Sequence, residues 1–287
     1  MTNSRLIAGT MTWGSWGKQL SKKEMVHLMN HCLANNITTF DHADIYGGYT
    51  TEADFGKAFT DSGIKRENIQ LISKCGIQYV SENRNNKVKH YDYSKDYIIW
   101  SVEESLKNLS TEYLDLLLLH RPSPLMVAED IAEAVTILKK DGKIRGFGVS
   151  NFTPSQMEMI GLRMDIDVNQ IEFSLTQHSA MHDGTLNYMK TCGITPMAWS
   201  PLGSVFREDN EQTRRIHKQL GKLMDKYNAT EDQLLLAWIM KHPAGIHPVV
   251  GTTNTKRLTQ AVEAIKIDLN LEDWFLILVA SQGHKVP

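Results

Sequence analysis

Eight short apolar runs, each separated from the next by a helix-like stretch, predict an α/β fold: a closed (β/α)8 TIM barrel in a single domain, 1–287. A second observation supports this architecture. The run LDLLLL at 114–119 is continuous rather than alternating, the pattern of a strand covered on both faces. A third removes the main structural rival. A doubly wound open sheet normally carries a Gly-rich turn after its first strand. Here Gly9, Gly14 and Gly17 have the wrong spacing, and GFGVSN at 146–151 begins like that fingerprint but ends in Asn and sits mid-chain.

The units follow in order. The first strand, 6–9, leads to a helix at 22–35, whose start is marked by Ser21 with Glu24, a capping-box pair. The second, 38–41 (TTFD), is β-branched and aromatic, and precedes a helix at 52–62. The third, 70–74 (QLISK), is followed by the most polar stretch of the chain, 81–95, read as a long surface loop, and a helix at 95–109. Strand 114–120 leads to helix 128–141, with Gly142 just past its end as a C-cap requires. Strand 144–150 leads to helix 154–164, opened by Thr153 with Gln156. Strand 168–173 leads to helix 184–192, closed by Gly193; strand 195–199 leads to helices 213–227 and 231–242, the second opened by Thr230 with Gln233; strand 247–251 leads to helix 255–264. Apolar content and charge are even along the chain and no linker interrupts it, hence one domain.

The 31 basic and 33 acidic residues give a formal charge of -2, with no footprint for nucleic acid or an anionic membrane. No stretch approaches the roughly 20 apolar residues of a membrane span. The N-terminus shows no charged leader followed by a long apolar segment. Cys32, Cys75 and Cys192 are far apart and form neither a disulfide framework nor a zinc spacing. A cytoplasmic protein with no metal is expected. No amphipathic seam demands a partner, so a monomer is compatible with the sequence and the oligomeric state is open.

In a barrel of this type, function gathers at the C-terminal ends of the strands. Those ends read Asp41, Lys74, His120, Ser150-Asn151, Gln170, Trp199-Ser200 and Gly251-Thr252. A carboxylate closing a buried strand needs a cationic partner, and Lys74 on the next strand is the expected partner of Asp41. Tyr46, in the loop directly after Asp41, can reach back over the mouth. A nearby ammonium favours the phenolate and should lower the tyrosine pKa. His120 can donate a hydrogen bond to a substrate oxygen. An acid placed for a developing alkoxide implies carbonyl reduction, with the hydride supplied by a cofactor.

Asp41, Tyr46, Lys74 and His120, in that order, resemble the tetrad of the aldo-keto reductases. IRGFGVSNF (144–152), Asn169-Gln170, WSPL (199–202) and VVGTTNTKR (249–257) also resemble segments of that family, and the likeness covers nearly the whole chain. KHYDYSKDYI, LHRPSPLM and AWSPLG further resemble a bacterial subgroup of oxidoreductases of the YdhF type. The resemblance implies an NADPH-dependent reductase of small aldehydes or ketones. It assigns Ser150, Asn151 and Gln170 to the nicotinamide carboxamide and Trp199 to the nicotinamide face. Ser200, Pro201, Leu202 and Gly203 would line the pyrophosphate. Gly251, Thr252 and Thr253 would meet the adenosine phosphate, Arg257 and Lys256 the 2′-phosphate, and Gln260 the adenine. Two departures from the family pattern are expected: no N-terminal hairpin plugging the barrel bottom, and a short tail after Leu271 that offers few substrate contacts.

Other readings attach to some residues. Asp41 with Lys74 could be a structural ion pair at the rim. Asp41 with Glu172 could serve a glycoside hydrolase on the same fold, which leaves Lys74, Tyr46 and Lys256-Arg257 unexplained. A barrel that binds NADPH and reports it to a partner, turning over slowly or not at all, is the reading of another class. His27 and His31 suit a solvated helix face better than a metal, because no glutamate follows His27. Cys75 reads as a small buried hydrophobe. Trp13, Trp16, Tyr49 and Met126 are expected near the mouth, as an apolar pocket.

Overall fold

The computed structural model describes residues 3–287. Among the described residues there are ten strands and eleven α-helices. The strands are β1 (Ile7–Gly9), β2 (Thr39–Asp41), β3 (Gln70–Cys75), β4 (Ile77–Gln78), β5 (His90–Tyr91), β6 (Leu114–Leu119), β7 (Ile144–Ser150), β8 (Val168–Glu172), β9 (Thr195–Trp199) and β10 (His247–Val250). Eight of them close a barrel in the order β1-β10-β9-β8-β7-β6-β3-β2, with every neighbouring pair parallel. The eight units read from the sequence are those of the (β/α)8 barrel.

Around the barrel lie α1 (Lys22–Ala34), α2 (Thr51–Ser62), α3 (Lys95–Leu109), α4 (Ala128–Lys140), α5 (Pro154–Gly161), α6 (Thr185–Thr191), α7 (Glu211–Gly221), α8 (Met224–Tyr227), α9 (Glu231–Lys241), α10 (Thr255–Glu263) and α11 (Leu271–Gln282). The expected capping boxes form at Ser21 with Glu24, Thr153 with Gln156 and Thr230 with Gln233. Each supplies partners to backbone N–H groups that the first helical turn leaves free.

Alternation along each strand sends one set of side chains to the helices and the other to the axis. Ile7, Ile72, Leu116, Leu118, Val168, Met197 and Val249 form a separate buried cluster on the axial face. Truncating any of the buried Leu, Ile or Met residues among them to Ala would cost roughly 2–5 kcal/mol. Gly148 leaves the room they need: a Cβ there would come within 2.5 Å of the Val168 carbonyl and 2.7 Å of a Leu118 methyl. The barrel below the mouth is thus filled by its own side chains, and among the described residues β1 is the first strand.

Two expectations change. The polar stretch after β3 is more than a loop, because β4 and β5 pair antiparallel, Ile77 with Tyr91, into a ribbon beside the mouth. The short segment after Leu271 is not a loose tail but folds into helix α11. Asn270 caps α11, and Gly283 ends it in the left-handed region. Ser281 Oγ ties it to the Leu175 carbonyl, and its Trp274 stacks on Trp238 of α9 with ring centroids 4.9 Å apart.

Candidate active site

Asp41 is the last residue of β2 and Lys74 lies near the end of β3, both facing the axis and both almost wholly buried. The ammonium has three protons to place. Lys74 Nζ donates to Asp41 Oδ2 at 2.7 Å, to the His42 carbonyl at 2.7 Å and to Tyr46 Oη at 3.3 Å. All its donors are therefore spent within the site. Tyr46 is brought there by a tight turn after β2, in which Gly47 and Gly48 both take positive φ. His120 follows β6, its N–H bonded to the Cys75 carbonyl, and its ring meets Tyr46 edge-on at 6.1 Å. Its Nδ1 is buried without a partner among the described residues.

The other oxygen of Asp41 is engaged as well. Gln170 Nε2, on β8, donates to Asp41 Oδ1 at 2.9 Å. From Gln170 a hydrogen-bonded thread continues across the strand ends. Ser150 Oγ donates to the Gln170 carbonyl, Asn151 Nδ2 donates to Ser150 Oγ, and Trp199 Nε1 donates to Asn151 Oδ1 at 3.0 Å. Asn151 and Ser200 hold positive φ, unusual for residues with a Cβ, and these turns set the indole and the start of the WSPLG segment.

Burial dominates the electrostatics. Tyr46 is pushed above the usual phenol range by desolvation, which outweighs the downward pull of Lys74. The expected net lowering is thus reversed: the ammonium acts in the expected direction, but the apolar surroundings act harder. Desolvation pulls Lys74 down, and Asp41 and Tyr46 together lift it above the ordinary lysine value. Desolvation, then the charges of Lys74, Arg121 and Lys89, hold His120 well below the usual imidazole range. At neutral pH the site therefore holds a charged lysine, a protonated phenol and a neutral imidazole.

Beside the mouth runs a cleft of ≈ 470 Å³. It is lined by Ser200, Pro201, Leu202, Gly203, Gly251, Thr252, Arg257 and Gln260, all anticipated from sequence, and by Phe206, Arg207 and Asp232, which were not. Arg207 had one readable signal, a lone cation just past WSPLG. Among the described residues neither Arg207 nor Arg257 makes an ion pair. Gly203 is required here, since at φ 55 a Cβ would strike Thr176 Oγ1 at 2.1 Å. Thr253 and Lys256 do not line the cleft; Thr253 borders a separate hollow against α1. A hollow of ≈ 600 Å³ at the opposite, N-terminal end of β8 and β9 includes Asp165 and Asp167 but none of the tetrad.

Of the remaining expectations, some hold and some do not. Trp13 is not at the mouth; it is buried against Phe40 and Phe55. Trp16 is at the mouth, beside Tyr46 and Tyr79. Tyr49 packs under the ribbon, its Oη accepting from Tyr79 N–H at 2.7 Å, and Met126 lies against the core. His31 is drawn onto α10, with Nε2 2.9 Å from the Thr255 carbonyl, rather than left to solvent. Cys75 is buried and its thiol is pushed well up by desolvation, as suits an inert side chain.

The profile described as "Aldo/keto reductase family" matches residues 5–278. The chain is 44% identical over 290 aligned positions to the oxidoreductase YcsN of Bacillus subtilis, covering 99% of this chain and 96% of that one. It is 38% identical to the oxidoreductase YdhF of Escherichia coli, over 99% and 95% of the two chains. It is also 38% identical to a 6-dehydroglucose reductase of Agrobacterium fabrum, over 89% and 86%. Among solved structures, an aldo/keto reductase from Klebsiella pneumoniae in complex with NADP and acetate superposes with a TM-score of 0.78 at 25% identity, over 94% and 89% of the chains.

Proposed function

Because the chain belongs to the aldo/keto reductase family, we propose that this oxidoreductase reduces aldehydes or ketones to alcohols with NADPH, Tyr46 giving the proton. The observation that carries the reading is the position of Lys74 Nζ, bonded at once to Asp41, the His42 carbonyl and Tyr46 Oη. An ion pair serving only stability has no need of the phenol.

The residues fit a nicotinamide dinucleotide phosphate. Trp199 offers an indole held in place by Asn151, a flat face for an aromatic ring. Among the described residues, Gln170 Oε1 takes no hydrogen bond and is free for a carboxamide, beside Ser150 and Asn151. The Ser200–Gly203 turn, Gly251 and Thr252 line the cleft where the phosphates would lie, with the N-terminus of α10 beyond. Arg257, in the cleft wall, would be the cation for a 2′-phosphate, and Gln260 beside it would meet the adenine. When bound, the nicotinamide supplies the hydride.

The protein's own work is on the oxygen. A carbonyl oxygen between Tyr46 Oη and His120 gains negative charge as the carbon is reduced. Neutral His120 donates a hydrogen bond to it, and Tyr46 passes it the phenolic proton. The phenolate left behind is stabilised by Lys74, whose charge Asp41 maintains. Asp41 has both oxygens committed, so it has none to spare for the paired-carboxylate chemistry of a glycoside hydrolase.

The test is NADPH consumption with a panel of aldehydes, run beside Tyr46→Phe. The variant is expected to bind NADPH with unchanged affinity and to lose roughly 10²–10⁴-fold in turnover. Turnover equal to the parent's would remove Tyr46 as proton donor. NADPH binding without turnover in the parent would favour a barrel that senses the cofactor.

A further inference from the structure

Arg121 follows His120 directly, and its backbone is clamped by one side chain. Tyr93 Oη donates to the Arg121 carbonyl at 2.5 Å and accepts from its N–H at 3.1 Å. The clamp depends on Gly76, where a Cβ would come within 1.9 Å of the Tyr93 ring. So fixed, the half-buried guanidinium lies 5.2 Å from the Trp199 ring centroid. Among the described residues it makes neither an ion pair nor a side-chain hydrogen bond. A half-buried guanidinium that meets only an aromatic face keeps its N–H donors free for an incoming anion.

We propose that Arg121 binds a carboxylate on the substrate, so that the preferred carbonyl compound is a short aldehyde or ketone bearing an acid group. This inference rests on the reductase reading for the reaction, but not for the anion site itself. A guanidinium presents paired donors that match a carboxylate. Next to His120 in the chain and 5.2 Å from the Trp199 ring centroid, Arg121 would hold the acid group beside the reacting carbonyl.

The test compares succinic semialdehyde with butanal in the parent, Arg121→Met and Arg121→Lys. It also measures binding of succinate, which cannot be reduced, by tryptophan fluorescence in the presence of NADP. The parent is expected to favour the semialdehyde by about tenfold or more in kcat/KM. Arg121→Met should lose about 10–100-fold on the semialdehyde, mainly through KM, and stay near the parent on butanal and in NADPH affinity. Arg121→Lys should recover part of the loss. Equal activity of the parent on both aldehydes, or equal losses on both in Arg121→Met, would overturn the proposal. Weaker NADPH binding by Arg121→Met would also overturn it, assigning the residue to the cofactor or to Trp199. If nothing is turned over, succinate decides: binding that needs Arg121 keeps the anion site and rejects the reductase, whereas no binding rejects the anion site.

Discussion

Asp44 lies just beyond Asp41 in sequence, but where Asp41 is met by Lys74, no ion pair reaches Asp44 among the described residues. It is buried, Oδ1 has no partner among the described residues, and burial with the nearby Glu52 pushes its pKa from 3.8 up to about 8. Between those values the folded protein keeps a proton that the unfolded chain has released. The stability Asp44 contributes is therefore whole below pH 3.8 and is lost as pH rises through 8. Asn, neutral in both states, should make Asp44→Asn increasingly more stable than the parent across this window, by up to roughly 1.4 kcal/mol per pH unit. Urea unfolding at a series of pH values checks this, and a constant difference would show an ionised Asp44. His42 runs the other way. Desolvation and Lys74 hold it at about 3, so its contribution is whole above pH 6.5 and falls as pH drops toward 3. The pairing of Asp41 with Lys74 was readable because each closes an apolar strand and adjacent ends converge. The state of Asp44 was not, since a carboxylate written in a loop looks alike whether solvent reaches it or not.

At the scale of elements, the β4–β5 ribbon turns on Gly76, which holds φ 108 and touches the Tyr93 ring. Gly76→Ala should cost about 1–3 kcal/mol through strain and overpacking, read from the urea midpoint at unchanged slope. A smaller local effect belongs to α9, where Thr230→Ala should cost about 1 kcal/mol as its capping box is lost. Caps of this kind were readable because the signal is local and chemical. The ribbon was missed because each strand is two residues long and sits in a polar stretch. Helix α11 was missed for the opposite reason. Its residues, LEDWFLILVASQ, are apolar on more than one side, so no stripe announces it. Helix α7 starts at Glu211 rather than at 213 because Asn210 caps it.

Across the whole molecule, the barrel was readable from the count of strand-like runs and from the doubly covered LDLLLL, since closure follows once eight units are present. The cleft was readable only in part. Phe206, Arg207 and Asp232 reach it from a loop and a helix far apart in sequence, and no local pattern records that meeting. Ligand linkage tests the assembled site. NADPH at about a hundred times its Kd should stabilise the fold by about 2.7 kcal/mol. In Arg257→Ala, the same NADPH concentration should give a smaller rise in Tm, while the effect of NADH is unchanged. Equal losses with both cofactors would remove Arg257 from the 2′-phosphate. The hydrogen-bonded thread from Trp199 through Asn151, Ser150, Gln170, Asp41 and Lys74 to Tyr46 spans five strand ends. Where a link joins two side chains, changing one alone strands a polar atom on its neighbour. Natural variation should therefore arrive there in matched pairs: divergent descendants of this barrel would exchange 151 together with 199 far more often than either position alone.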